Sequence, residues 1–174
     1  MSCFLDTEEG KQVAVLSFKR EQLLYDIKNA AYIEGHVMPP DTEHARHTVI
    51  DIGEEGNVDR VTRVLDLAVA QVRELLYPYT KHDSDRLVLD DKFKERKSYG
   101  VVMFIPKDFS QTTLTLLERL IHEYLVARAV ADWMSIANPA KTETWQVKAA
   151  DAESEIRVAM HSRMRRARIR PHWL

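Results

Sequence analysis

Histidine and glutamate stand side by side at positions 122 and 123, inside the run RLIHEYLVARAVADW that spans residues 119–133. A zinc peptidase helix begins in this way, with the Glu as general base, but its pattern needs a second imidazole one turn on so that two side chains meet one metal from the same face. Position 126 is Val. A helix with one imidazole, one carboxylate and many Leu, Ile, Val, Ala, Tyr and Trp residues keeps the packing and lacks the chemistry, so the pair reads as structural. A second cluster, GHVMPPDTEHARH, holds His36, His44 and His47 with Asp41 and Glu43 and has the composition of a divalent-metal site. Its carboxylate lies on the wrong side of His44 for the peptidase pattern, and Pro39-Pro40 separates His36 from the others, so it reads as a polar loop without metal. No phosphate-cradling glycine loop, nucleophile elbow or Cys-x-x-Cys pair occurs, and the expectation is a chain with no catalytic residue and no cofactor.

The third cluster is basic. HSRMRRARIRPHWL places Arg163, Arg165, Arg166, Arg168 and Arg170 within eight residues, followed by Trp173. One or two arginines would complement a helix dipole. A longer run can pair with carboxylates or phosphates through bidentate forks, and Trp173 can anchor the end in a pocket, so this segment reads as a docking tail. Charge is distributed to match: residues 1–56 hold 5 Lys or Arg against 11 Asp or Glu, whereas residues 157–174 hold six arginines and no acid. Such polarity suits a subunit packed on unlike neighbours, or a tail that visits an acidic surface.

The elements that must carry these residues are mostly helical. Five Gly and six Pro among 174 residues fall at punctuation points, and the length predicts a single domain, 1–174, able to bury a sizeable core. An acidic N-terminal segment, residues 1–56, precedes a helical core, 57–162, and the basic tail, 163–174. A first helix is expected over 19–34, with Leu24, Ile27 and Ala31 inward. A second opens at Gly56-Asn57, with Asn57 as cap, buries Val58, Val61, Leu65, Ala68, Val72 and Leu75, and stops at Pro78. Val13 to Leu16 and Thr48 to Ile52 are candidate short strands, Lys81 to Lys97 a charged loop with at most a short helix near Leu87, and Tyr99 to Ile105 the one convincing strand. The longest apolar helix covers about Gln111 to Ile136, with Leu114, Leu117, Ile121, Tyr124 and Leu125 on one face and Leu116, Leu120, Ala127 and Val130 beside it. Asn138-Pro139 then starts the last helix, which buries Trp145, Ala149, Ala152, Ile156 and Ala159 as an antiparallel neighbour of the one before. The fold expected is a mainly α helical bundle with a long antiparallel helix pair and at most a few short β-strands. Cys3, the lone cysteine, excludes an intrachain disulfide, and the longest apolar run, Val101 to Ile105, is too short to cross a membrane.

The helix type NVDRVTRVLDLAVAQVRELLYPYT, a hydrophilic loop, IPKDFSQTTLTLLERLIHEYLVARAVADW and a terminal helix with a projecting tail together resemble the head-to-tail connector proteins of tailed bacteriophages, also called adaptor or head-completion proteins. The resemblance spans residues 57–174. It implies a structural subunit without enzymatic activity, mostly α-helical, in a ring commonly of twelve copies under the portal of the capsid. Such a ring continues the channel through which DNA passes without sequence-specific contact, so the implied location is the neck of the virion, and the host cytoplasm before assembly. In that setting Arg128 is a structural helix residue, and the arginines at 163, 165, 166, 168 and 170 with Trp173 reach a neighbouring subunit or the portal. Two readings of other classes stand beside it: a nucleic-acid-binding protein that uses the arginine tail, and a small metal-dependent enzyme built on His36, His44 and His47.

Overall fold

In a computed structural model of the chain, which describes residues 3–6, 11–39, 43–77, 79–81, 97–107 and 109–161, two strands are followed by three α-helices, a third strand and two further α-helices. They are β1 (Cys3–Asp6), β2 (Lys11–Lys19), α1 (Arg20–Val37), α2 (Glu43–Ile50), α3 (Glu55–Leu75), β3 (Ser98–Pro106), α4 (Gln111–Ala137) and α5 (Pro139–His161). A 3-10 turn, Asp51–Gly53, links α2 to α3. The fold is mainly α, as the helical periodicities require.

Helix α4 lies at the centre. Its buried residues include Leu114, Leu117, Ile121, Tyr124, Leu125, Val126, Ala127, Ala129, Val130, Trp133 and Met134, which go round the cylinder, as befits a helix covered on most sides. Helix α5 folds back along it through the single connecting residue Asn138, and Trp145, Ala149, Ile156 and Ala159 seal the pair. Leu116, expected beside the buried face, points out and is 46% exposed.

The sheet runs β1-β2-β3, antiparallel throughout. Strands β2 and β3 each span nine residues, longer at both ends than the runs Val13 to Leu16 and Tyr99 to Ile105 that mark them in the sequence. The period-two alternation is clear in burial: Ala14, Leu16 and Phe18 on β2 and Tyr99, Val101, Met103 and Ile105 on β3 enter the core. An apolar strand such as β3 risks pairing with another chain through its open edge. Here it is built into its own subunit: β2 pairs with one edge, while on the other Tyr79 O accepts from Phe104 N at 2.8 Å and Gly100 O accepts from Arg73 Nη2 at 2.7 Å.

Two expectations fail in the region before α3. Thr48 to Ile52 is helical, lying in the end of α2 and the 3-10 turn, because Val49 and Ile52 reach the core from a helical backbone where alternation would expose one of them. Asn57 is not the cap of α3; that helix begins two residues earlier, after Glu54, and Asn57 Nδ2 instead donates to Asp51 O at 2.8 Å, tying the turn to the helix. The same helix ends at Leu75, ahead of Pro78, and Leu76 continues its buried face past the end. Helix α1 lies so close to α2 that a Cβ at Gly35 would stand 2.7 Å from Ile50 Cγ1, so only glycine fits this crossing without movement. Pro78 and most of Lys81 to Lys97, including the short helix expected near Leu87, lie outside the described residues.

Candidate interaction surface

His122 is held by a carboxylate. Its Nε2 lies 2.8 Å from Asp26 Oδ2, and Gln22 Nε2 donates to both oxygens of Asp26 at 3.1 Å, so the imidazole ties α4 to α1. Ser17 and Thr115 line the same shallow cleft as His122, and Thr115 Oγ1 donates to Gln111 O at 3.2 Å. Glu123 is exposed and Val126 is buried, which places the neighbours of His122 in packing and at the surface.

The three histidines read as one polar loop stand on two helices. His36 is in the last turn of α1, its ring edge-on to Tyr32 at 4.2 Å and its Nδ1 in contact with Arg46 Nη2. His44 and His47 are on α2, exposed. Arg46, a cation, thus stands against one of the two ring nitrogens of His36. Among the described residues no group of three or more His, Cys, Asp or Glu stands in a metal-binding arrangement.

A more coherent arrangement lies where α1, α4 and α5 meet. Trp145, buried on α5, donates from Nε1 to Glu34 Oε1 at 3.1 Å, and Lys141 Nζ lies 3.3 Å from Glu34 Oε2, so one carboxylate of α1 holds two groups of α5. Lys148 Nζ stands 3.8 Å above the Trp145 ring, a cation–π contact. Beside this junction opens a cleft of about 340 Å³, with Ala30, Ile33, Val126 and Trp145 as its apolar floor. Asp26, Glu34 and Glu123 line it with three carboxylates, of which Asp26 is held by His122 and Glu34 by Lys141, and the Lys148 ammonium lines it too. Asp26, Ala30, Ile33 and Val37 recur every three or four residues, so the cleft follows one stripe of α1. Ile33 is 54% exposed and Val37 71%, and Tyr25 and Tyr32 on the adjoining stripe are also open to solvent.

A second cleft, between α3, α4 and α5, is lined by Gln71, Glu74, Tyr124, Arg128, Glu153 and Arg157. Tyr124 donates its hydroxyl hydrogen to Gln71 Oε1 at 2.9 Å, and Arg157 pairs with Glu153 at 2.9 Å on the same helix. Burial raises the Tyr124 hydroxyl above its ordinary pKa, with Arg128 opposing and Glu153 adding to the shift. Its two arginines face two glutamates, a balanced set that favours neither an anion nor a cation.

The residues singled out for docking, Arg163, Arg165, Arg166, Arg168, Arg170 and Trp173, all lie outside the described residues, which end at His161 on α5. The exposed apolar stripe of α1 escaped sequence reading because Leu24, Ile27 and Ala31 already supplied a sufficient inward face. Its signal was Tyr25, Tyr32, Ile33 and Val37 lying off that face in a helix that needed no wider one. No helix among the described residues is long and apolar enough to cross a membrane. No family model, curated protein or solved structure matches the chain.

Proposed function

We propose that this chain is a structural virion protein, a head-to-tail connector subunit that forms a ring with its own copies, joins the portal of a tailed bacteriophage to the tail and continues the DNA channel. The observation that carries the reading is the outer face of α1. Four large apolar side chains, Tyr25, Tyr32, Ile33 and Val37, stand more than half exposed on one helix, beside a carboxylate-lined cleft. Apolar surface gathered in this way marks a face meant for another protein. The helix order that resembles the connectors, with a central apolar α4 backed by antiparallel α5, supplies a rigid base for such a face. The reading gives no residue a catalytic role and requires no cofactor.

The rival reading is a nucleic-acid-binding protein, favoured by the six arginines and no acid of residues 157–174. Sedimentation of the chain with the portal ring encoded by the same genome, and separately with duplex DNA, across a salt series separates the two. A connector co-sediments with the portal, and added salt weakens that complex only partially, because apolar burial contributes. Tight DNA binding that falls steeply and log-linearly with salt, without portal binding, would replace the connector by the rival.

A further inference from the structure

We infer that the cleft between α3, α4 and α5 is a binding site for a small zwitterion, an aminocarboxylate, with its carboxylate on Arg128 and its ammonium at Glu74. The site stands apart from the connector reading and does not rest on it.

Along α4, polar contacts to α3 recur at helical spacing: Tyr124 bonds Gln71, and Asp132 pairs with Arg60 at 2.8 Å. Arg128 stands one turn from each of them and receives no such partner. Among the described residues its guanidinium makes no hydrogen bond or ion pair, although its Nε is buried. The resemblance to the connectors makes Arg128 a structural helix residue, yet an arginine that serves the fold spends its fork of donors on carboxylates or carbonyls. A buried donor without a partner costs the fold its desolvation. A polar group that the fold leaves unbonded in this way, at the wall of a cleft, points to a role outside the fold.

The neighbouring groups decide what binds. Arg157 closes on Glu153 at 2.9 Å within α5, and the Tyr124 hydroxyl closes on Gln71 Oε1. Two charged side chains of the cleft are left, Arg128, partly buried, and Glu74, exposed, and no ion pair joins them. A simple anion would meet Arg128 with two glutamates close by, and a simple cation would meet two arginines. A molecule that carries both charges answers each end, with the carboxylate inward on Arg128 and the ammonium outward at Glu74. The Gln71 amide hydrogens are available to the same carboxylate. Leu75 supplies an apolar wall for the methylene groups between the charges, and about 450 Å³ is within the range of roughly 300–1,000 Å³ usual for small-molecule sites.

The test titrates the full chain, labelled with heavy nitrogen, with glycine, β-alanine, γ-aminobutyrate and ε-aminocaproate in turn. Acetate, methylammonium and inorganic phosphate serve as single-sign controls, and proton–nitrogen correlation spectra follow the Arg128 Nε–H signal. One chain length should bind most tightly, and acetate about fivefold more weakly, the scale of one exposed ion pair. Glu74→Gln should bring the best aminocarboxylate down to the level of acetate. Arg128→Gln should weaken it by about tenfold or more, as the loss of one partner of a desolvated charge pair does. Arg128→Met keeps the apolar stem of the side chain. It should melt no lower than the parent without ligand, and should lose the rise in melting temperature that the ligand gives the parent.

Acetate or phosphate binding as tightly as every aminocarboxylate overturns the inference, because the cleft then takes any anion. Unchanged binding in Arg128→Gln overturns it as well. So does an Arg128→Met protein that melts lower than a parent on which none of the aminocarboxylates acts, since Arg128 is then a residue of the fold.

Discussion

Leu117→Ala tests whether α4 is the structural centre. Leu117 is fully buried, whereas Leu116, its neighbour in the same turn, is 46% exposed. Truncation to Ala deletes three carbon groups, a transfer loss of about 2.4 kcal/mol at roughly 0.8 kcal/mol per buried methylene. If the walls do not close, a residual cavity of about 80 Å³ adds about 2 kcal/mol at roughly 24 cal/mol per Å³. Alanine's higher helix propensity returns only a few tenths of a kcal/mol. The expected cost is therefore about 2–4.5 kcal/mol, inside the range seen for buried Leu→Ala changes. Leu116→Ala should stay within about 0.5 kcal/mol, as surface changes do. Urea unfolding followed by far-UV circular dichroism reads both, and with a slope of about 2 kcal/mol per molar the Leu117 variant should lose about 1–2 M in midpoint with the slope unchanged. A near-neutral Leu117→Ala, or a Leu116→Ala that costs more, would refute the placement of the helix.

Three further outcomes are expected. Gly35→Ala should lower stability by about 1 kcal/mol in urea melts, since displacing Ile50 outweighs the helical gain, while Gly56→Ala, with open space around its Cβ, should raise it by about 0.5–1 kcal/mol. Tyr124→Phe should cost about 0.5–1.5 kcal/mol at neutral pH through the lost bond to Gln71. The Tyr124 hydroxyl is raised in the fold, so its contribution to stability is fully present below the unfolded value of 10.0 and is lost as pH rises through the higher folded value. The Phe variant should therefore show a shallower decline than the parent in that alkaline window. Purified protein should carry no stoichiometric zinc after dialysis; zinc that persists, and is lost in His44→Ala, His47→Ala protein, would overturn the structural reading of α2.

Where burial on one face sets the spacing, the fold was legible in the sequence. Leu117, Ile121, Val61, Leu65, Trp145 and Ile156 all entered the core as their three- and four-residue steps demanded. Short elements were less legible. Helix α2, eight residues long, contributes Val49 alone to the core among the described residues, too little to establish a period, and its charged and polar residues imitate a loop. Asn57 has the chemistry of a cap, but the 3-10 turn at Asp51–Gly53 presents a carbonyl that competes for its side chain. The cleft could not be read at all, because Asp26, Glu34, Glu123 and Trp145 converge from three helices and only tertiary packing brings them together.

Whether the chain is a connector is decided by electron cryomicroscopy of the portal ring of the same genome, incubated with the full chain. The expected image shows a second ring on the tail-facing side of the portal, built from copies of this chain, with the channel continuous through both. A bare portal beside free monomers, with the chain in large molar excess, would contradict the connector reading.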